Sequence, residues 1–511
     1  MNQPRKRRRR GKGSREAMLA RRSKPPAVNP APAGPVGGQY RPLSETQVRQ
    51  IYATSIRMLA ELGMGEAPPA LVDRACQRGA TVNDLGRLCF SQAMVEDIID
   101  GACKSFVFHG RDQDYSFEVG GDRVYFGTGG AAVQTLDLDS HVYRPSNLGD
   151  LADFTRLADT LPNIAWFTRC CVATDVPGIL DLDINTAYCL MRYTQKPVGT
   201  SITLGSHVDP IVDLFDRVAG GEGKFAEKPF CKVHISPIIS PMRYGEDAFE
   251  VAMASIRRGM PINTIIAAMS GATSPATIDG MLAASFGETL AALVMINVFA
   301  PGYPVIFSNW PFVIDLRTGA FCGGGGEISI LNAGAAQLAN HVGLPSGVAS
   351  SMSDAKAVDA QMGMEKALSS LACGLSGANL VYESSGMMAS LLGASFEAFL
   401  LDNEMLSHVY RMIRGIEVTE ETLAFETMKN VITGEGHFIG ETQTMEAMER
   451  DYYYPRLGDR LEPTAWAEAG ATDAWTRANA EVRDLLSRHQ PNYIDAATDA
   501  GIRGRFNILL P

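Results

Sequence analysis

The stretch INTIIAAMSGATSPATIDGMLAASFGETLAALVMINVFAPGYPVIFSNWPFV, residues 262–313, contains one complete unit of the fold. It opens on a short apolar run, INTII, passes through small and polar residues, and continues as a helix-like segment over 276–299. It then returns to a second apolar run, VIFSN. Apolar runs of this length suit strands buried on both faces, and strand, helix, strand in that order implies a right-handed crossover between parallel neighbours. Working outward, the same rhythm occurs eight times. Strand-like segments begin near Val124 (VYFGTGGAAV), Ile164 (IAWFTRCCVAT), Val198 (VGTSITLG), Phe230 (FCKVHISPIIS), Ile262, Val305, Pro345 (PSGVASSMSD) and Leu380 (LVYESSGMM). Eight such units predict an α/β fold, a (β/α)8 TIM barrel, with its functional face built from the loops that follow the strands.

The intervening helices are expected over 146–161, 180–193, 206–219, 245–258, 276–299, 327–342, 354–375 and 389–415, with Ser146, Ser206 and Asp354 as N-caps. Outside the barrel, taken as 111–415, a helical N-terminal region is expected over 41–110 and a C-terminal extension over 416–511. Ser44 is the expected N-cap of SETQVRQIYATSIRMLAELG, and the extension is read as three short elements and a charged helix over 472–488. FVFHGRDQDYSFEVGGDRVYFG, residues 106–127, reads as a hairpin-like stretch, with Gly120 and Gly121 giving a turn before the first barrel strand. Small residues at the strand ends, Gly129, Gly130, Gly271, Ser308, Ser350 and Ser351, suit a wide, relatively open barrel mouth or simply tight turns.

With 511 residues, 46% hydrophobic and 20% charged, the chain can bury a large core. Residues 1–25 hold eleven Lys or Arg and one Glu against a net charge of −11 for the whole chain, so the remainder is strongly acidic. The basic run RKRRRR and the Pro/Gly-rich segment after it make residues 1–40 a disordered tail by composition. Nucleic acid is not expected as a partner, because the acidic remainder has no basic stripe. Nine cysteines without CxxC spacing fit reduced thiols. No secretory apolar core and no long uncharged apolar stretch is evident, so a cytoplasmic protein without a membrane partner is expected. Scattered histidines without HExxH spacing predict no directly bound metal, and no GxSxG elbow is present. The four glycines 323–326 lack the Lys-Ser/Thr that follows a phosphate-binding loop.

Beyond this pattern, five segments resemble the trimethylamine methyltransferase (MttB) superfamily. They are SNWPFVIDLRTGAFCGGGGE at 308–327, GLPSGVASSMSDAKAVDAQMGMEKALSS at 343–370, GANLVYESSGMMASLLGASFEAFLLDNEM at 377–405, GHFIGETQT at 436–444 and YYYPRLGDR at 452–460. The resemblance implies a methyltransferase that passes a methyl group from an amine to the cobalt of a corrinoid (cobalamin) carried by a separate corrinoid protein. Founding members of that family carry pyrrolysine in the stretch equivalent to residues 350–353. Ordinary residues stand there in this chain, with Met352 or its neighbour at the equivalent place. That departure resembles the branch of glycine betaine methyltransferases and makes a small quaternary amine the expected substrate, since such an amine leaves as a neutral tertiary amine without further activation. The alternatives are a trimethylamine-type methyltransferase, a non-catalytic betaine-binding or regulatory barrel, and an unrelated lyase or hydrolase using Glu327, Asp354 or Glu383.

A quaternary cation has no N–H to donate, so aromatic faces must hold it. Trp310, Phe312 and Tyr382, with Trp166 or Phe167, are the candidates, each with core packing as the alternative. A substrate carboxylate would be taken by Arg169 or His234, whose alternatives are a salt bridge and a backbone-bonded core histidine. Glu383 is the expected charge inside the mouth, beside Met352 as the second catalytic candidate. Ser350, Ser351 and His437 are the candidates facing the corrinoid. Asp359 is one more carboxylate at a strand end or helix start, Asp354 is equally explained as the N-cap of its helix, and Lys356 as a solvated first-turn residue. Homo-oligomerisation is left open.

Overall fold

The computed structural model describes residues 29–434 and 436–511; the basic run at 5–10 lies outside the described residues. All eight strand-like segments form strands of one parallel sheet. They are β1 (Tyr125–Phe126), β2 (Phe167–Thr168), β3 (Val198–Ser201), β4 (Cys231–Ile235), β5 (Ile262–Ile266), β6 (Val305–Asn309), β7 (Ser346–Ala349) and β8 (Leu380–Tyr382). Hydrogen bonding orders them 1-8-7-6-5-4-3-2. A parallel bridge from Gly127 to Trp166 joins β1 to β2 and closes the barrel. Closure leaves the sheet without an open edge.

The outer layer is α1 (Leu148–Thr160), α2 (Ile179–Tyr193), α3 (Val208–Val218), α4 (Glu246–Arg257), α5 (Ile278–Asn297), α6 (Gly326–His341), α7 (Ala360–Leu375) and α8 (Phe396–Arg414). Ser44 caps Glu45–Arg57 in a full capping box with Gln47. The other three expected caps are corrected. Asn147, not Ser146, caps α1 with Asp150 as its box partner, and Ser146 instead donates to the carbonyls of Ala132 and Val172. Ser206 sits in a 3-10 turn that leads into α3 without a side-chain cap. Asp359, not Asp354, caps α7, accepting from the amides of Gln361 and Met362. α5 is long and apolar enough to cross a membrane by composition, yet it lies mostly buried, against Glu45–Arg57, β5 and β6.

At the N-terminal end of the barrel the expected hairpin forms from Ser105–Phe108 and Phe117–Gly120. It plugs the tube: Phe117 stacks on Tyr125 of β1 at 4.1 Å. The described part of the Pro/Gly-rich segment, expected to be disordered, runs along this end. Gly34 and Gly37 donate to the carbonyls of Val124 and Asp122, and Val124 donates back to Pro35. Paired backbone groups replace the periodicity that the segment lacks.

The C-terminal end is covered, contrary to the expected open mouth. Loops after β5 and β6 form a sheet of Met269–Ser270, Phe312–Ile314 and Phe321–Cys322. Loops after β8 and β1 form another, of Met387–Met388, Gly393–Ser395, Gln134–Leu136 and Tyr143–Pro145. Beyond α8, four short helices precede Ala474–Arg488, one more than the expected three elements, and that longer helix packs on α8 and α1.

Candidate active site

Barrel interiors are usually filled by branched apolar side chains. Here the inward positions carry Trp166, Thr168, Lys232, His234, Asn263 and Tyr382, and the room for them comes from glycines. A Cβ at Gly127 would run into the Trp166 ring, and one at Gly347 would run into Ser308 and the Tyr382 ring. Strand register places His234 beside Asn263 and Ala349 beside Tyr382, so these side chains share the inner face.

This interior contains polar atoms with no hydrogen-bond partner. They include Trp166 Nε1, Thr168 Oγ1, Arg169 Nε, Lys232 Nζ, His234 Nε2, both amide atoms of Asn309, Trp310 Nε1 and both carboxylate oxygens of Glu383. Folded proteins satisfy nearly all such groups, so their concentration inside one tube points to a polar ligand or ordered water there.

Glu383 follows β8 in a left-handed conformation, φ 63°, which is strained for a residue with a side chain. It is completely buried, and burial pushes its carboxyl up to about 8, with the Lys366 ammonium working the other way. Gly129 and Gly130 lie against its two oxygens. Lys366 forms an ion pair with Asp402 at 2.8 Å, and Asp402 also accepts from the Gly386 amide at 2.7 Å, so a buried pair fixes the loop that carries Glu383.

The aromatic candidates come together around Tyr382. Its ring centroid lies 5.2 Å from that of Trp310, 5.3 Å from Trp166 and 5.5 Å from His234. Phe312 stands one ring further out, 6.1 Å from Trp310, in the covering sheet. Phe167 alternates to the outer face of β2, away from Trp166. Trp310 is 6% exposed, so the cluster is closed to bulk water.

Opposite charges face different parts of the chamber. Arg169 is half-buried, its Nε has no hydrogen-bond partner and it forms no ion pair among the described residues, so the alternative of a salt bridge is not what the structure shows. His234 does not bond backbone through Nε2. Burial first, then the neighbouring Lys232 and Arg169 cations, hold it well below the usual histidine range, so it is neutral at pH 7.

Ser350, Ser351 and Met352 are all buried at the end of β7, and Ser351 has φ 59°. Met352 lies under Gly323, where a Cβ would meet its own Cβ at 2.9 Å. Asp354 accepts from the amides of Gly323 (2.7 Å) and Gly324 (3.2 Å) and from the Ser390 hydroxyl (2.7 Å). One carboxylate therefore ties the glycine run and the loop after β8 across the covered mouth. Glu327 is exposed in the first turn of α6, and Lys356 is exposed with its ammonium on the Asp354 carbonyl, so neither joins the chamber. His437 lies exposed between Phe425–Thr433 and Thr442–Arg450 and is not among the buried chamber residues.

Sequence reasoning passed over Lys232, Thr168 and Asn309. A signal for Lys232 existed: in FCKVHISP it stands two residues before His234, on the same face of a strand otherwise apolar. Among the described residues no group of three or more His, Cys, Asp or Glu is placed to hold a metal ion.

The family profile described as trimethylamine methyltransferase (MTTB) matches residues 6–506. A trimethylamine methyltransferase of Desulfitobacterium hafniense is 30% identical over 90% of this chain and 92% of its own length. A glycine betaine methyltransferase from another strain of that species is 27% identical, over 91% and 96%. Among solved structures, the monomethylamine methyltransferase of Methanosarcina barkeri aligns over 93% of this chain and 98% of its own, with 12% identity and a TM-score of 0.49. Matched along nearly its whole length, this barrel with its buried polar chamber is a methyltransferase that belongs to the trimethylamine methyltransferase (MTTB) family.

Proposed function

We propose that the barrel transfers a methyl group from a small quaternary amine, glycine betaine or a close relative, to a corrinoid carried by a partner protein. The observation that carries this reading is the make-up of the barrel interior: Trp166, Tyr382 and Trp310 cluster there, and the Glu383 carboxyl is buried without a hydrogen-bond partner. A permanently charged nitrogen cannot be held by hydrogen bonds. Ring faces attract it by about 0.5–2 kcal/mol each when desolvated. Glu383 ionises once such a cation enters, because the new charge offsets the burial that keeps its proton on.

The partner's corrinoid supplies the nucleophile, a Co(I) centre that accepts the methyl group as the carbon–nitrogen bond breaks. The bonding pair stays on nitrogen, so the amine leaves neutral and needs no proton from this chain. The residues therefore orient and exclude water rather than move protons. Met352, at the place the resemblance gives to pyrrolysine, offers a buried thioether with no acid–base chemistry, which suits a substrate that already carries its own good leaving group. Arg169, close enough to His234 to act on its ionisation, adds positive potential that favours a substrate carboxylate. The cover held by Asp354 lies between chamber and acceptor, so methyl transfer requires it to swing aside.

The test is to incubate the purified protein with cob(I)alamin and a panel of betaines, tetramethylammonium and trimethylamine, following methylcobalamin by absorbance. Transfer from quaternary amines is the expected result. Transfer from trimethylamine alone makes this a tertiary-amine enzyme, and silence across the panel, with binding retained, makes it a binding protein.

A further inference from the structure

Three of the unpaired atoms converge on one point. A Cβ built at Gly199, in β3, would lie 2.6 Å from Thr168 Oγ1, 2.8 Å from His234 Nε2 and 3.0 Å from Lys232 Nζ. None of the three has a hydrogen-bond partner, and all three residues are buried. The missing side chain lets a hydroxyl, an imidazole nitrogen and an amine gather against the β3 backbone, close to one another.

Lys232 is the unusual member. It sits in the N-terminal half of β4, deep in the tube, and its Nζ lies 4.7 Å from the ring centroid of Phe108 in the plugging hairpin. Trp166 and Tyr382 stand 5.3 and 5.1 Å from it. Three rings around a buried amine ease the burial of its charge but supply no acceptor. A lysine buried without an acceptor is costly to the fold, so its retention at the centre of a barrel has no packing rationale. Burial holds it well below the usual lysine range, at about 7, so it is charged or neutral at little cost near neutral pH.

The chamber is thus polarised along its axis. Its deep end carries Lys232, with Thr168 and neutral His234 beside it. Trp166 also stands at the deep end, against Phe117 of the hairpin, while the unpaired Glu383 follows β8 at the mouth, with the rings of Tyr382 and Trp310 on that side. A simple methylamine would answer only the mouth. A zwitterion placed with its carboxylate inward and its methylammonium outward answers both ends, and it aims the methyl group toward the side from which an acceptor must come.

We propose that Lys232, with Thr168 and His234 over Gly199, is the carboxylate subsite that makes this enzyme select a zwitterionic, carboxylate-bearing quaternary amine over a plain one. The inference rests on the quaternary-amine reading above and adds a residue, an orientation and a substrate class to it.

Calorimetric titration of the full chain tests it with three probes: glycine betaine, tetramethylammonium, which lacks the carboxylate, and tert-butylacetate, the carbon isostere that lacks the cation. Lys232→Met is expected to weaken glycine betaine and tert-butylacetate by at least about tenfold, the loss of one charge-assisted contact, and to change tetramethylammonium by no more than about twofold. Gly199→Ala, which pushes the three groups aside and keeps the lysine, is expected to give the same selective loss and stands in if the lysine variant misfolds. Equal weakening of all three probes, or wild-type protein that takes tetramethylammonium as tightly as glycine betaine, overturns the subsite. Methyl transfer from tetramethylammonium at the rate of glycine betaine also overturns the subsite while leaving the quaternary-amine reading standing. No transfer from any quaternary amine removes that reading itself.

Discussion

Gly130 is pressed against Glu383: a Cβ at position 130 would lie 2.6 Å from the carboxylate Oε2, and the backbone there has φ 87°. The end of β1 therefore supplies a bare backbone wall that fixes the acid from the side opposite its own strand. Gly130→Ala must push the carboxylate away and adopt a strained backbone together. The expected result is a loss of about 1–3 kcal/mol of stability, as for other overpacked sites. Methyl transfer should fall by at least about tenfold, because an ångström of misplacement is enough for that. Denaturant midpoints and kcat/KM measure the two effects separately, and an unchanged kcat/KM would show that the position of Glu383 does not matter.

Lys366 and Asp402 are both buried and 2.8 Å apart, and Asp402 also holds the Gly386 amide. Removing one member strands the other in an apolar interior, so Lys366→Met should cost about 3–5 kcal/mol. Replacing both residues with apolar ones of similar size should recover most of that, because the pair's attraction largely offsets its desolvation. Urea denaturation of the two single variants and the double variant gives the coupling directly. Singles that lose little, or a double that loses their sum, would show that the pair is not a unit.

The barrel was legible because its strands are short, largely apolar and spaced by whole helices. A strand such as INTII has few other ways to be buried. The caps were less legible: Ser146 and Asn147 are both good N-caps, and only tertiary bonding of Ser146 to Ala132 and Val172 leaves the role to Asn147. The mouth was misjudged for a related reason. Small residues at strand ends read as openness, whereas Gly127, Gly129, Gly130 and Gly347 each make room for a particular large neighbour, Trp166, Glu383 or Tyr382. Trp310, Tyr382, Glu383 and His234 could be picked out because each is a bulky or ionisable residue at a strand end. Lys232 offered only its spacing from His234, and its lack of a partner is out of reach, since a sequence does not show which polar groups are satisfied.

Asp354 ties Gly323, Gly324 and Ser390 across the mouth through three hydrogen bonds. Asp354→Ala frees all three at once. Because the residue is at the surface side of the chamber, global stability should change by no more than about 1–2 kcal/mol. Local opening should rise instead, so hydrogen exchange of residues 321–326 and 387–392 should quicken by at least about tenfold while the strands stay protected. Unchanged exchange in these two loops would mean that the covering sheets, rather than Asp354, hold the mouth shut.

Glu383 makes the chamber's affinity for cations pH-dependent in a definite direction. Burial raises its carboxyl from the ordinary 4.5 to about 8. Between those values the folded protein retains a proton that the unfolded chain has released, so the group's contribution to stability falls as pH rises from about 4.5 to 8. Glu383→Gln should flatten that part of the pH profile of stability. A bound quaternary cation reverses the balance by favouring the carboxylate. At pH 7, uptake of tetramethylammonium should therefore release most of one proton, visible as a binding enthalpy that changes with the ionisation heat of the buffer. The same titration of Glu383→Gln should release none and bind at least about tenfold more weakly, the loss of one buried charge partner. A wild-type enthalpy that does not depend on the buffer would place the cation away from Glu383.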